Sequence, residues 1–292
     1  HKVLYTVLLG SVILLTSLFT LLFHNATRPE QTWNGMFDVV LSTTSVTKRT
    51  LTNQANQQVE QITQISNLSE PRSRSVVSIE QKNQGQATDK ILTETIGTVD
   101  AEYSRYIRIQ TAQKNSAGKP YDYSSVENVW GKTSEKDSGD TTPRDNLQRA
   151  NLSLVPFANL EPSVRKKIAA DLNNGKTYSV DFSKVKSDKV DGKPAWSYPV
   201  EINIAMYLTA MKTIFTQSGL GEAADLDPRA YASAPPQKVT IYVSKFSKQV
   251  LQLKYEDGST EQFSGYGVQQ QIYLPKQTIP ISELQSKIQS VR

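Results

Sequence analysis

The feature that most constrains this chain is Val3–Phe23, VLYTVLLGSVILLTSLFTLLF, 21 residues without a charged side chain. At 1.5 Å per residue, a helix of that length spans about 30 Å, the thickness of a bilayer's hydrocarbon core. Its Ser and Thr hydroxyls can return hydrogen bonds to helix carbonyls, and Tyr5 stands where an interfacial aromatic stands. Lys2 precedes the stretch, and His24, Asn25, Arg28 and Glu30 come after it. A cleaved signal peptide has an apolar core of only about 7–15 residues and ends in a small-x-small site. Here the one available triplet is Asn25-Ala26-Thr27, a poor match. The stretch reads as an uncleaved single-pass anchor, with the long polar remainder extracytoplasmic, at a cell surface or in a periplasm. The expected organisation is a cytoplasmic stub and transmembrane anchor over 1–27, a helical lead-in or stalk over 28–65, and one α+β domain over 66–292.

The chain beyond the anchor lacks the side chains of most catalytic chemistries. There is no cysteine, which removes disulfides, thiolate metal sites, Cys nucleophiles and lipid attachment at a lipobox Cys. The two histidines, His1 and His24, both flank the apolar stretch, so neither a Ser-His-Asp triad nor a His-based metal site is expected beyond it. No phosphate-cradling Gly-rich loop or nucleophile elbow is present. The carboxylate pairs Asp188/Asp191, Asp225/Asp227 and Asp137/Asp140 fall short of the six to eight oxygens that calcium takes. They read as turn and helix-cap residues. No metal, cofactor or enzymatic activity is expected. The net charge of +5, from 33 Lys+Arg against 28 Asp+Glu, is scattered and not interleaved with aromatics, so nucleic acid is not an expected partner.

Trp33, Met36, Phe37, Val40 and Leu41 recur at helical spacing. The polar, Pro-free stretch 43–64 is read as the continuation of that helix, lifting the domain off the bilayer. Strand signals come next at Ser73–Glu80, Lys90–Val99, Tyr103–Thr111 and Tyr123–Trp130, rich in β-branched and aromatic residues. Gly131–Asp145 is read as a loop. Leu160–Asn173 is a helix opened by Pro162 and closed at Asn174-Gly175, and Thr177–Val185 is a strand. Asp191-Gly192 and Asp257-Gly258 are hairpin turns. Glu201–Gly219 is an amphipathic helix with Ile204, Tyr207, Leu208, Met211, Ile214 and Phe215 in one stripe. Strands are expected at 238–243, 248–255, 259–266 and 269–274, and a closing helix at Ile281–Val291. Hairpin-ordered strands with a few helices make an α+β fold, an antiparallel sheet covered by helices.

The order of elements resembles that of the LolA/LppX/LprG group of lipid and lipoprotein carriers. The residues that carry the resemblance are the helix Leu160–Asn173, the strand Thr177-Tyr-Ser-Val-Asp181, the Asp191-Gly192 hairpin, the helix Glu201–Gly219, the paired strands Val239–Tyr266 and the long strands Lys90–Thr111. The resemblance implies a curved antiparallel half-barrel sheet covered by helices, enclosing a hydrophobic pocket for acyl chains or lipid-modified proteins. The pocket is expected to be lined by Ile96, Ile107, Val180, Phe182, Tyr207, Met211 and Phe215. The chain departs from the lipoprotein members in lacking a lipobox Cys, so the membrane segment at 3–23 would replace the lipid anchor. The functional expectation is a membrane-anchored domain that binds a lipid or lipid-modified ligand. The alternative is a non-enzymatic cell-envelope interaction module (complex subunit, adhesin or sensor ectodomain) with a filled core.

Overall fold

A computed structural model describes residues 27–82, 88–136, 141–223, 226–268 and 271–291. The apolar stretch Val3–Phe23, the turn at Asn83–Gly85, the Asp137/Asp140 pair and Asp225 lie outside the described residues. Among the described residues no helix is long and apolar enough to cross a membrane.

The first helix, α1 (Pro29–Val40), opens with Pro at its first turn and Glu30 beside it, both suited to a helix N-terminus. Its inward face, Trp33, Met36, Phe37 and Val40, is buried. Trp33 stacks 5.1 Å from Tyr198 and Phe37 lies 5.4 Å from Tyr178, while the Trp33 indole N–H donates to Asn173 Oδ1 at 3.1 Å. This helix is a core element, not a stalk.

The stretch 43–64 corrects the reading of a helical lead-in. It forms the hairpin β1 (Ser45–Gln54) and β2 (Gln57–Ser66), paired in unbroken register from Ser45↔Ser66 to Gln54↔Gln57. Its Thr, Val and Ile residues favour a pleated surface, and the two-residue loop Ala55-Asn56 carries neither Gly nor Pro to announce the turn. The boundary at 65/66 is therefore not a domain boundary: residues 29–66 supply one helix and two strands of the fold.

β3 (Arg72–Gln81), β4 (Asp89–Gly97), β5 (Ala101–Gln110) and the short β6 (Gly131–Ser134) continue the sheet. Helices α2 (Pro143–Asn151) and α3 (Pro162–Leu172) come next. Then come β7 (Tyr178–Val180), β8 (Lys186–Val190), β9 (Lys193–Ile202), helix α4 (Ile204–Gln217), β10 (Gln237–Ser244), β11 (Val250–Tyr255), β12 (Thr260–Ser264), β13 (Ile279–Pro280) and α5 (Ile281–Val291). Among the described residues the result is α+β: one large, open, antiparallel sheet with five helices, ordered β13-β6-β5-β4-β3-β2-β1-β12-β11-β10-β9-β7, with β8 on β9 and one short parallel pair, β13 on β6. The turn between β8 and β9 uses Asp191 at φ 48 and Gly192 at φ 78, the paired positive φ values of a tight hairpin turn.

Several expectations differ from the structure: Gly131–Ser134, read as loop, is β6; Glu201–Ile202, read as the start of a helix, ends β9; and Phe182–Lys184, read as strand, is a 3-10 turn. Tyr123–Trp130 is not a strand but a turn-rich segment whose one ladder contact with β5 is an isolated Tyr106↔Glu127 bridge. The end of the expected loop Gly131–Asp145 instead opens helix α2: Thr142 and Asp145 form a reciprocal capping box and Pro143 takes the first turn. The described part of 269–274 is not a strand, and the segment before β13 instead meets the sheet through Arg72, which donates to Ile272 O at 3.0 Å.

Because α1 fills the core between α3 and the sheet, Phe37→Ala is expected to cost about 3–5 kcal/mol, measured by chemical denaturation. A chain lacking 28–65 is expected not to fold at all, as judged by its circular dichroism.

Candidate functional site

The residues expected to line a pocket separate into three places. Tyr207, Met211 and Phe215, on α4, are 2%, 0% and 1% exposed and sit in one continuous core with α1, α3, β9 and β10. Val180 and Phe182 pack against the same core, Val180 paired to Val200 and Phe182 edge-on to Tyr198 at 6.4 Å. Asn203 caps α4 by accepting from the Met206 N–H at 3.1 Å, which fixes where the stripe begins. These five residues are brought together, and they fill the space between helix and sheet. Ile96 is buried but turned the other way: its neighbour Gly97 faces α2, where a Cβ would stand 3.5 Å from Leu147, and side chains alternate along a strand. Ile107 occupies a bulge, where the register of β4 with β5 slips between Leu92 and Thr93.

Beneath the α4 core lies a buried polar seam. Tyr207 donates to Ser153 O, and Tyr178 donates to Leu154 O at 2.8 Å. Glu261 accepts from Ser153 Oγ at 2.6 Å and from Tyr255 at 2.9 Å. Lys48 donates to Leu152 O at 2.7 Å and Ala150 O at 3.3 Å. Burial pushes the Lys48 ammonium below its ordinary range, with Glu261 opposing, and pushes the Tyr207 and Tyr178 hydroxyls well above theirs. The tyrosines thus remain neutral donors, and the seam ties segment 150–154 to β1, β12 and α4.

The two faces of β2–β5 differ in chemistry. On the outer face, Glu94 is 3% exposed and held by both Arg74 and Arg105 at 2.5 Å, with Arg105 lying 4.6 Å over the Trp130 ring. Arg49 pairs with Glu60 on the same face. The inner face carries α2, which crosses from β5 to β1: Asn146 bonds Glu102, Leu147 lies over Gly97, and Ala150 meets Lys48. Beyond that helix the inner face continues. Val59, Ile79, Ile91 and Ile109 stand directly opposite one another on four adjacent strands, and each is only half-buried. Val77 lies one pleat away on the same face, and at one end Ile109 packs against a second small core built on Tyr123, Val126 and Leu284. This makes an apolar row about 14 Å long, three strand spacings of roughly 4.8 Å.

A second feature, an open groove of about 710 Å³ on the opposite side of the β9–β11 sheet, is lined by Glu201, Lys238, Tyr242 and Lys254 among others. Its charges are mixed and its walls shallow. Among the described residues no group of three or more Asp, Glu, His or Cys stands close enough to hold a metal.

Sequence reasoning misses the apolar row. Ile79, Ile91 and Ile109 each lie in strands that their alternation reveals, but Val59 sits in the stretch read as helix, and only register aligns the four. The alternation Val59, Gln61, Thr63, Ile65 on one face is the available signal.

No protein-family model matches the chain, and no curated protein matches it. Among solved structures, the crystal structure of LprF from Mycobacterium bovis is similar over 83% of this chain and 96% of that one, with a TM-score of 0.41 and 11% identity. A likeness that loose carries no argument about function, which rests on the residues of the sheet and its helices.

If the α4 core is filled, Met211→Trp overpacks it. Its expected effect is a loss of about 1–3 kcal/mol of stability, read from denaturation midpoints; an unchanged midpoint would reveal empty space beneath α4.

Proposed function

We propose that this chain is a membrane-tethered, non-enzymatic extracytoplasmic domain that binds a lipid, or the acyl chain of a lipid-modified ligand, along Val59, Ile79, Ile91 and Ile109. The observation that carries the reading is that the core face of the sheet runs on past α2 as registered, half-exposed β-branched side chains on four adjacent strands, while the outer face of the same strands interrupts its apolar residues Ile62 and Val76 with the Arg74–Glu94–Arg105 and Arg49–Glu60 pairs. An acyl chain laid on that row would leave water together with the side chains beneath it, worth about 0.8 kcal/mol per buried CH₂. The tether is Val3–Phe23, whose length and lack of charge suit a single span. The residues of the buried α4 stripe act in this reading as the rigid support of the sheet.

A second reading, an envelope interaction module without a small ligand, is favoured by the closed packing around Met211 and Phe215.

Native mass spectrometry of the full chain extracted in detergent separates the two readings. Adducts of lipid mass that vanish on organic extraction are expected for the native sequence and for Ile62→Glu, on the outer face. They should be lost in the double variant Ile79→Glu, Ile91→Glu, with folding checked by circular dichroism. A bare mass for the native chain, with a protein partner co-purifying, would favour the interaction module.

A further inference from the structure

The way residues 27–29 are fastened to the sheet sets which end of the domain lies nearest the apolar stretch. The Trp196 indole N–H donates to Thr27 O at 2.8 Å, and the Tyr198 hydroxyl donates to Pro29 O at 2.8 Å. Both side chains belong to β9, and Trp196 lies near the strand's start, beside the β8–β9 and β10–β11 turns. Thr27 stands only four positions after Phe23. However that link runs, it spans at most about 14 Å. The headgroup layer is itself about 5–7 Å thick on each side of the hydrocarbon core. This end of the domain is therefore held within reach of lipid headgroups if Val3–Phe23 spans the bilayer.

The chemistry of this end suits such a neighbour. The β10–β11 turn is Lys245-Phe246-Ser247-Lys248, and Phe246 is 57% exposed. Lys245 is held in place: its backbone N–H donates to Pro194 O at 3.1 Å, and its ammonium lies 3.8 Å over the Trp196 ring and bonds Ser187 Oγ. Lys248, at φ 58, lays its stem against Gly35 of α1. Lys189 and Lys193, beside the β8–β9 turn, and Arg28, ahead of α1, are exposed. The carboxylates here are Glu30, Asp188 and Asp191, while Asp38 of α1 is paired with Arg165 at 2.8 Å. Five lysine or arginine cations (Arg28, Lys189, Lys193, Lys245, Lys248) thus stand against three carboxylates, around the partly exposed Phe246 ring.

We infer that this end, the Phe246 turn with the Lys189/Lys193 hairpin, docks on the surface of an anionic bilayer and fixes the tilt of the domain on its membrane. The inference rests on the tether reading. Phe246 would insert its ring at headgroup depth, and the surrounding cations would gain about 1 kcal/mol each from an anionic leaflet. The opposite end, with the Asp257-Gly258 turn, would point away from the bilayer.

The chain has no cysteine, so single-Cys variants report one position each. We would place an environment-sensitive fluorophore at Leu14→Cys, Phe246→Cys or Glu256→Cys in the full chain. Each is reconstituted in phosphatidylcholine vesicles with or without phosphatidylglycerol, with lipid-borne quenchers. The expected result is quenching at 14 in both membranes, quenching at 246 that strengthens with phosphatidylglycerol, and none at 256. Lys189→Ala and Lys193→Ala should each lower the docking equilibrium constant about fivefold. Quenching at 14 alone, or equally at 246 and 256, would overturn the docking surface and leave the tether standing. Absence of quenching at 14 would overturn the tether, and the docking surface with it.

Discussion

The fold depends on the position of β1. That strand is hydrogen-bonded on one side to β2, its neighbour in sequence, and on the other to β12, more than two hundred residues later, with Thr47 opposite Gln64 on one edge and Ser264 on the other. The early meander β1–β5 and the late hairpins β9–β12 become one sheet only through this strand. Its polar composition is consistent with that place. Lys48 reaches through to the carbonyls at the end of α2, and Arg49 pairs across to Glu60 on the other face. A central strand built of Thr, Lys and Arg is stable here because its charges find partners on both faces.

The two halves joined by β1 differ in how completely helices cover them. Helices α1, α3 and α4 close the β9–β12 half into a filled core, with Trp33, Tyr178, Tyr198 and Tyr207 in mutual edge and tilted contacts. The β2–β5 half has α2 across its inner face and the small core of Tyr123, Val126 and Leu284 beside Ile109 at one edge, and its strands are longer than these can cover. The apolar surface left half-exposed is therefore found where strand length exceeds helix cover. That is a geometric origin for a ligand surface that needs no catalytic side chain.

Much of the element order is legible in the sequence. Period-2 alternation exposes β3, β4 and β5, the Asp-Gly pairs mark two hairpins, and the stripe from Ile204 to Phe215 marks α4. The hairpin β1–β2 is hidden because Gln, Asn and Thr carry weak periodicity and its turn has no Gly or Pro. Helix α2 is easily overlooked in a charged stretch, although Thr142, Pro143 and Asp145 spell a capping box. The candidate site is the least legible part. The stripe residues Tyr207, Met211 and Phe215 have the same apolar spacing whether they line a cavity or fill one. Ile96 and Ile107 look like members of one pocket until the pleat and the bulge that turn them apart are known. A row spread over four strands exists only once register is known.

The central claim is that acyl chains contact the inner face of β2–β5. It is tested most directly by photo-cross-linking the full chain in nanodiscs with a diazirine-bearing fatty acid and mapping the modified peptides. The predicted result is adducts on the strands that carry Val59, Ile79, Ile91 and Ile109 in addition to any in Val3–Phe23. Adducts confined to Val3–Phe23, or distributed over the outer face around Ile62 and Val76, would contradict it.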